Sequence, residues 1–136
     1  MEDSRLKKVL RASALWVPSI LLGFLFINQG IMKLQPDSPW VGKFDEWGYP
    51  NEFLLVTGAM ELLGGIMLFV PRVARFGSVL LGVVMVGACL THVVNGETTG
   101  TIVTSVIFAI LVTLARVRWP RQHLPVATEP SPHGAE

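Results

Sequence analysis

The chain is poor in charge. Of its 136 residues only 15% are Asp, Glu, Lys or Arg, and acids and bases nearly cancel at a formal charge of +1. That scarcity excludes a disordered polyelectrolyte, and it excludes a nucleic-acid binder because no stripe of Lys and Arg is available to track phosphates. The single cysteine, Cys89, excludes an internal disulfide and any Cys-x-x-Cys exchange pair. Phosphate loop, dinucleotide fingerprint, haem-attachment motif and nucleophile elbow are all absent. What fills the chain is apolar: 51% of residues are hydrophobic and the mean hydropathy is +0.52.

The charged residues mark where that apolar surplus lies. Arg11 to Lys33 encloses 21 uncharged residues, Glu52 to Arg72 encloses 19 with one Glu inside, Arg75 to Glu97 encloses 21, and Glu97 to Arg116 encloses 18. About 20 apolar residues are what a helix needs to cross a bilayer. The reading is therefore an all-α polytopic membrane protein, an antiparallel four-helix transmembrane bundle with helices near 12–33, 52–70, 74–95 and 98–116. The first run is expected to be a retained helix and not a secretory leader, because it is too long for a typical leader and lacks a convincing small-residue cleavage site.

Basic residues set the expected orientation. Arg5, Lys7, Lys8, Arg11, Arg72, Arg75, Arg116, Arg118 and Arg121 flank one side of the spans, and only Lys33 and Lys43 flank the other. Nine against two places both termini in the cytoplasm. Trp16, Trp40, Trp47 and Trp119 all fall near span ends, where amphipathic rings suit the headgroup region.

Between the spans, Ser38-Pro39 reads as an N-cap and first helical position, and Trp40, Phe44 and Trp47 follow on one face before Gly48. This predicts a short interfacial helix over the mouth of the bundle. Leu6, Val9 and Leu10 share a face opposite the N-terminal bases, so the first helix is expected to start early, lie along the membrane surface and turn or kink at Pro18. Short turns at Pro71 and at Asn95-Gly96-Glu97 make sequential helices antiparallel neighbours. The proline-rich stretch 119–136 is expected to be a disordered cytoplasmic tail.

Polar residues inside the spans gather toward the outer half. Of ten acidic residues only Glu61 lies deep in a run. A lone carboxylate there is a functional candidate by default, and its alternative is a structural pair that fixes helix register. Asn28, Gln29 and Lys33 close the first helix, Thr57 lies one turn before Glu61, and Cys89 and His92 share a face of the third helix. Their convergence predicts an outer-half polar pocket. Bland alternatives stand beside each: Lys33 snorkelling to the interface, Thr57 back-bonding in its own helix, His92 as a hydrogen-bonded structural residue and Cys89 as packing. No ligand spacing for a metal is present.

Taken in order, Phe26-x-x-x-Gly30-x-x-Lys33, Gly48-Tyr49-Pro50, Gly58-Ala59-Met60-Glu61-Leu62-Leu63-Gly64-Gly65, Val70-Pro71-Arg72 and Gly87-Ala88 with His92 resemble the DoxX family of DoxX/DoxD-like small four-helix integral membrane proteins. The resemblance covers roughly residues 20 to 96. It implies a bacterial inner-membrane protein, a four-helix fold and association with redox systems such as thiosulfate:quinone oxidoreductase.

The leading expectation is a redox-associated subunit that binds a quinone or similar amphipathic molecule in that pocket. Glu61 and His92 would transfer protons, and Gln29, Lys33, Thr57, Asn28 and Cys89 would line the ligand. No residue of the chain carries electrons and no cofactor is intrinsic to it. An enzymatic role is thus that of a membrane subunit of a quinone-linked oxidoreductase, served by a soluble or membrane redox partner. Two alternatives remain: a non-enzymatic assembly or scaffold subunit, oligomeric or partnered, and a proton-coupled exporter like the small multidrug transporters, whose lone Glu lies in the first helix.

Overall fold

The fold is that of a computed structural model, which describes residues 1–119; of the tail expected at 119–136, all but Trp119 lies outside the described residues. Five helices follow one another: α1 (Glu2–Leu34), α2 (Pro39–Glu46), α3 (Asn51–Phe69), α4 (Ala74–Val94) and α5 (Thr98–Arg118). All but α2 are long and apolar enough to cross a membrane. With no strand among the described residues, this is an all-helical polytopic membrane protein. Large side chains such as Leu21, Phe24, Leu63, Val83 and Val106 stay exposed on the bundle surface, where hydrocarbon is the matching solvent.

α1 departs from expectation. It runs unbroken from Glu2 through Pro18, with no separate surface segment. Pro18 cannot donate to the Ala14 carbonyl, but the turn stays helical because Ser19 and Arg118 add hydrogen bonds at the next carbonyl, that of Leu15. At 1.5 Å per residue the rod is about 50 Å long, so it outruns a hydrocarbon core of about 30 Å. Met1 to Ala14 are correspondingly exposed.

α2 forms as its sequence dictates. Ser38 caps it, its Oγ accepting from the Trp40 backbone N–H at 3.2 Å, and Pro39 occupies the first turn. Its far end is a Schellman turn: Gly48 takes φ +77°, Gly48 N–H donates to the Asp45 carbonyl, and Tyr49 N–H donates to the Phe44 carbonyl at 2.9 Å. The Phe44 and Tyr49 rings then meet at 5.8 Å. The same device ends α4, where Gly96 takes φ +70° and Glu97 N–H donates back to the His92 carbonyl at 2.9 Å.

Packing follows chain order. α1 lies on α3, α3 on α4 and α4 on α5, while α1 and α5 barely touch. The α1–α3 seam is the closest: a methyl on Gly30 would stand 2.6 Å from the Leu62 nitrogen and 2.7 Å from the Gly58 oxygen. Leu22, Phe26, Leu68, Leu81, Met85, Leu111 and Leu114 form the shared core. α3 and α4 pack in the half near their short turn, where Gly64 faces Leu81 and Gly77 faces Met67. In the other half, beneath α2, they part.

Candidate functional site

Where α3 and α4 part, a cavity of about 780 Å³ opens under α2. All five helices or their flanks contribute to its wall, which is mostly apolar: Phe26 from α1, Phe44 from α2, Met60 from α3, Val84 and Ala88 from α4, Ile107 from α5. A volume of that order suits a small organic molecule.

Two charges stand in this wall. Lys33 Nζ donates to both carboxylate oxygens of Glu61 at 2.7 Å, and both residues are almost fully buried, at 6% and 2% exposure. The pairing depends on an axial offset between α1 and α3. Lys33 Cβ is level with Gly58, so α3 begins about two turns beyond the end of α1, and Glu61 lies only one turn below Lys33. Glycine at 58 admits the lysine stem, since a methyl there would stand 2.8 Å from Lys33 Cβ. The ammonium also lies 4.5 Å from the centroid of the Trp40 ring.

The roof is aromatic. Trp40 Nε1 donates to Gln29 Oε1 at 3.2 Å, which ties α2 to α1. Phe44, Trp47, Tyr49 and Phe53 form one cluster with centroid separations from 5.1 to 6.5 Å. Tyr49 Oη and Thr91 Oγ1 share a hydrogen bond of 2.9 Å, linking the segment after α2 to α4. The indole nitrogen of Trp47 is buried with no partner among the described residues, leaving one donor uncommitted in a residue of the cavity wall.

At the rim, Glu97 joins three elements. It pairs with Lys43 of α2 and lies 2.6 Å from His92 Nδ1, while the His92 ring meets Trp47 edge-on at 5.4 Å. The hydrogen bond from Lys43, and after it that from His92, holds the Glu97 carboxyl below its usual range. In return, Glu97 pushes Lys43 up. Gly100 gives the His92 ring its seat, because a methyl there would collide with the ring.

Among the residues the sequence singled out, Gln29, Lys33, Thr57, Glu61 and His92 all border the cavity. Thr57 Oγ1 also donates to its own helix at the Phe53 carbonyl, 2.8 Å away. Asn28 and Cys89 do not border it. Asn28 is one step round α1 from Gln29, exposed, with its amide near Met32 Sδ at 3.8 Å. Cys89 faces α5 and contacts Ser105 Oγ at 3.4 Å. The sequence reading missed Glu97, Lys43 and Tyr49. The signals were Gly48 and Gly96, whose Schellman turns fold Tyr49 and Glu97 back toward the helices they follow. Among the described residues no three His, Cys, Asp or Glu side chains are grouped to hold a metal ion.

Comparison with known proteins gives a matching family model, described as the DoxX-like family, over residues 17–114. A relative from Bacillus subtilis (strain 168), named "Putative oxidoreductase CatD", is 29% identical over 72 residues, 53% of this chain and 54% of the relative. The chain thus spans about half the length of that relative. No solved structure matches.

Proposed function

The chain belongs to the DoxX-like family, and from that premise we propose that it is the membrane subunit of a quinone-linked redox system, holding a quinone or similar amphipathic molecule in the cavity beneath α2. The observation that carries this reading is a buried Lys33–Glu61 pair set in the wall of a largely apolar cavity. A charge pair kept at membrane depth beside open space marks a site for polar chemistry. The oxidoreductase name of the B. subtilis relative agrees in kind.

The residues divide the work as follows. Apolar walls and aromatic roof take up the ring and the start of its tail, and the free Trp47 N–H donates to one carbonyl oxygen. The Lys33 ammonium, 2.7 Å from Glu61, stabilises negative charge developing on the other oxygen. Reducing a quinone takes two electrons and two protons. Glu61 and His92 pass the protons, and the electrons come from a partner bearing a flavin, haem or thiol, since this chain has no group that carries them. Charge asymmetry supports a reading in which the arginine-rich end, where α1 begins and α5 finishes, faces the cytoplasm of a bacterial inner membrane and α2 faces the opposite side.

One observation favours a second reading, an assembly subunit without ligand: Lys33 and Glu61 satisfy each other, as a register-fixing pair would. A titration separates the two. Short-chain quinone added to the protein in mild detergent should quench tryptophan emission saturably, through Trp40 and Trp47. Lys33→Met with Glu61→Leu, which removes both charges and keeps apolar volume, should fold normally and lose that saturable component. Equal quenching by wild type and the double variant would give the assembly reading the better case.

A further inference from the structure

The opposite end of the bundle holds a second constellation that the proposed function does not use. There α1 continues past the last turn of α5, and the two helices form a re-entrant corner containing a cavity of about 480 Å³ lined by Arg11, Arg116, Val117 and Trp119. Arg118, next in the chain to Val117, turns instead toward α1: its Nη2 donates to Ser19 Oγ at 2.5 Å and to the Leu15 carbonyl at 3.4 Å, its guanidinium stands 5.3 Å from the Trp16 ring, and its Nη1 is buried without a partner among the described residues. From the start of α4, Arg75 lies 5.5 Å from the Trp119 ring with its Nε buried and likewise unpartnered.

Among the described residues every ion pair lies at the α2 end: Lys33 with Glu61, Lys43 with Glu46 and Glu97, His92 with Glu97. None of the arginines around Trp119 has a carboxylate. Arg11 and Arg116, which line the corner, are among them, and the planar guanidinium fork fits the paired oxygens of a phosphate. The corner also lies where the α5 span ends, at headgroup depth, flanked by the indoles of Trp16 and Trp119 and by the exposed apolar Val17 and Val117.

We propose that this corner is a site for the phosphodiester headgroup of an anionic phospholipid, with the guanidinium groups on the phosphate and the acyl chains along the bundle surface. A positive count at a membrane face attracts anionic lipid in general; what is specific here is a built corner in which Arg11, Arg116 and Trp119 line one space. Free inorganic phosphate shares the chemistry, so it is one arm of the test.

Delipidated protein in mild detergent is titrated with phosphatidylglycerol, phosphatidylcholine or inorganic phosphate and read by native mass spectrometry. Arg11→Gln with Arg116→Gln is compared with Arg5→Gln with Lys8→Gln, which removes the same charge from the exposed part of α1. Arg118 is left intact because it joins α1 to α5. The proposal expects retained phosphatidylglycerol, little phosphatidylcholine, and about 30-fold weaker binding in the corner variant at about fivefold per arginine, with a far smaller change in the control. Equal losses in the two variants, equal retention of the two lipids, or no retention would overturn it. Inorganic phosphate that binds as well as phosphatidylglycerol and displaces it would overturn the lipid assignment.

Discussion

Gly77 and Gly87 stand ten residues apart on α4 and live in different surroundings. A methyl at Gly77 would press on Met67 Cβ at 2.8 Å and the Gly64 oxygen at 3.0 Å, whereas a methyl at Gly87 would meet nothing within 4 Å. The first glycine belongs to the half where α3 and α4 touch, the second to the half where they part around the cavity. A glycine in a membrane helix therefore signals close approach only where a neighbouring helix answers it. The halves also differ in polarity: among the described residues the α2 end carries the ion pairs, and the terminal end carries Arg118, joined to α1 through neutral oxygens.

Five variants test that contrast. The largest effect is expected at Glu61→Gln, which leaves the Lys33 ammonium buried against a neutral amide and should lower unfolding stability in detergent by about 3–5 kcal/mol. Adding Lys33→Met to Glu61→Leu should recover most of that loss, and failure to recover would mean the cavity wall needs the charges to fold. Next comes Gly77→Ala, expected to cost about 1–3 kcal/mol by overpacking. Gly87→Ala should instead be neutral or gain up to about 1 kcal/mol of helix propensity. Similar costs for the two would mean that α3 and α4 do not part. At the terminal end, Ser19→Ala removes the nearer acceptor of Arg118 and should cost about 1.5–3 kcal/mol of the same unfolding stability in detergent.

The smallest effect is at the rim. Glu97 has a lowered pKa, so its contribution is full above the ordinary carboxylate value of about 4.3 and is lost as pH falls through the lower folded value. Lys43 is raised, so its contribution is full below the ordinary lysine value of about 10.4 and is lost as pH rises through the higher one. Tryptophan emission from the roof should thus shift red in acid below the ordinary carboxylate range, as the Lys43–Glu97 pair is lost. Glu97→Gln should show the red shift already at neutral pH, with little change in unfolding temperature.

Much of this fold was legible because bilayer physics is strict. Four apolar runs of span length, with Glu61 the one charge inside them, admit few alternatives, and Ser38-Pro39 with Gly48 marked α2 to within a residue or two. The family resemblance, read over residues 20 to 96, is matched over 17–114 and so extends into α5. Relations between helices were harder to read. Nothing in the sequence says that α3 starts two turns beyond the end of α1, and that offset brings Lys33 to Glu61. Asn28 and Gln29 are adjacent, yet a 100° step puts one outside the wall and the other in it. Cys89 and His92 share a face broad enough for Cys89 to meet Ser105 of α5 while His92 reaches the rim. Arg118 was counted for orientation alone, since its bond to Ser19 spans 99 residues of chain.

The proposed occupant of the cavity at the α2 end is an amphipathic redox molecule held beside the Lys33–Glu61 pair. The most direct test is mass spectrometry of the organic extract from protein purified in mild detergent, comparing wild type with Lys33→Met, Glu61→Leu at equal lipid content. Near-stoichiometric quinone in the wild type and its loss from the folded double variant is the predicted result. Only bulk lipid in both, or equal quinone in both, would contradict the account.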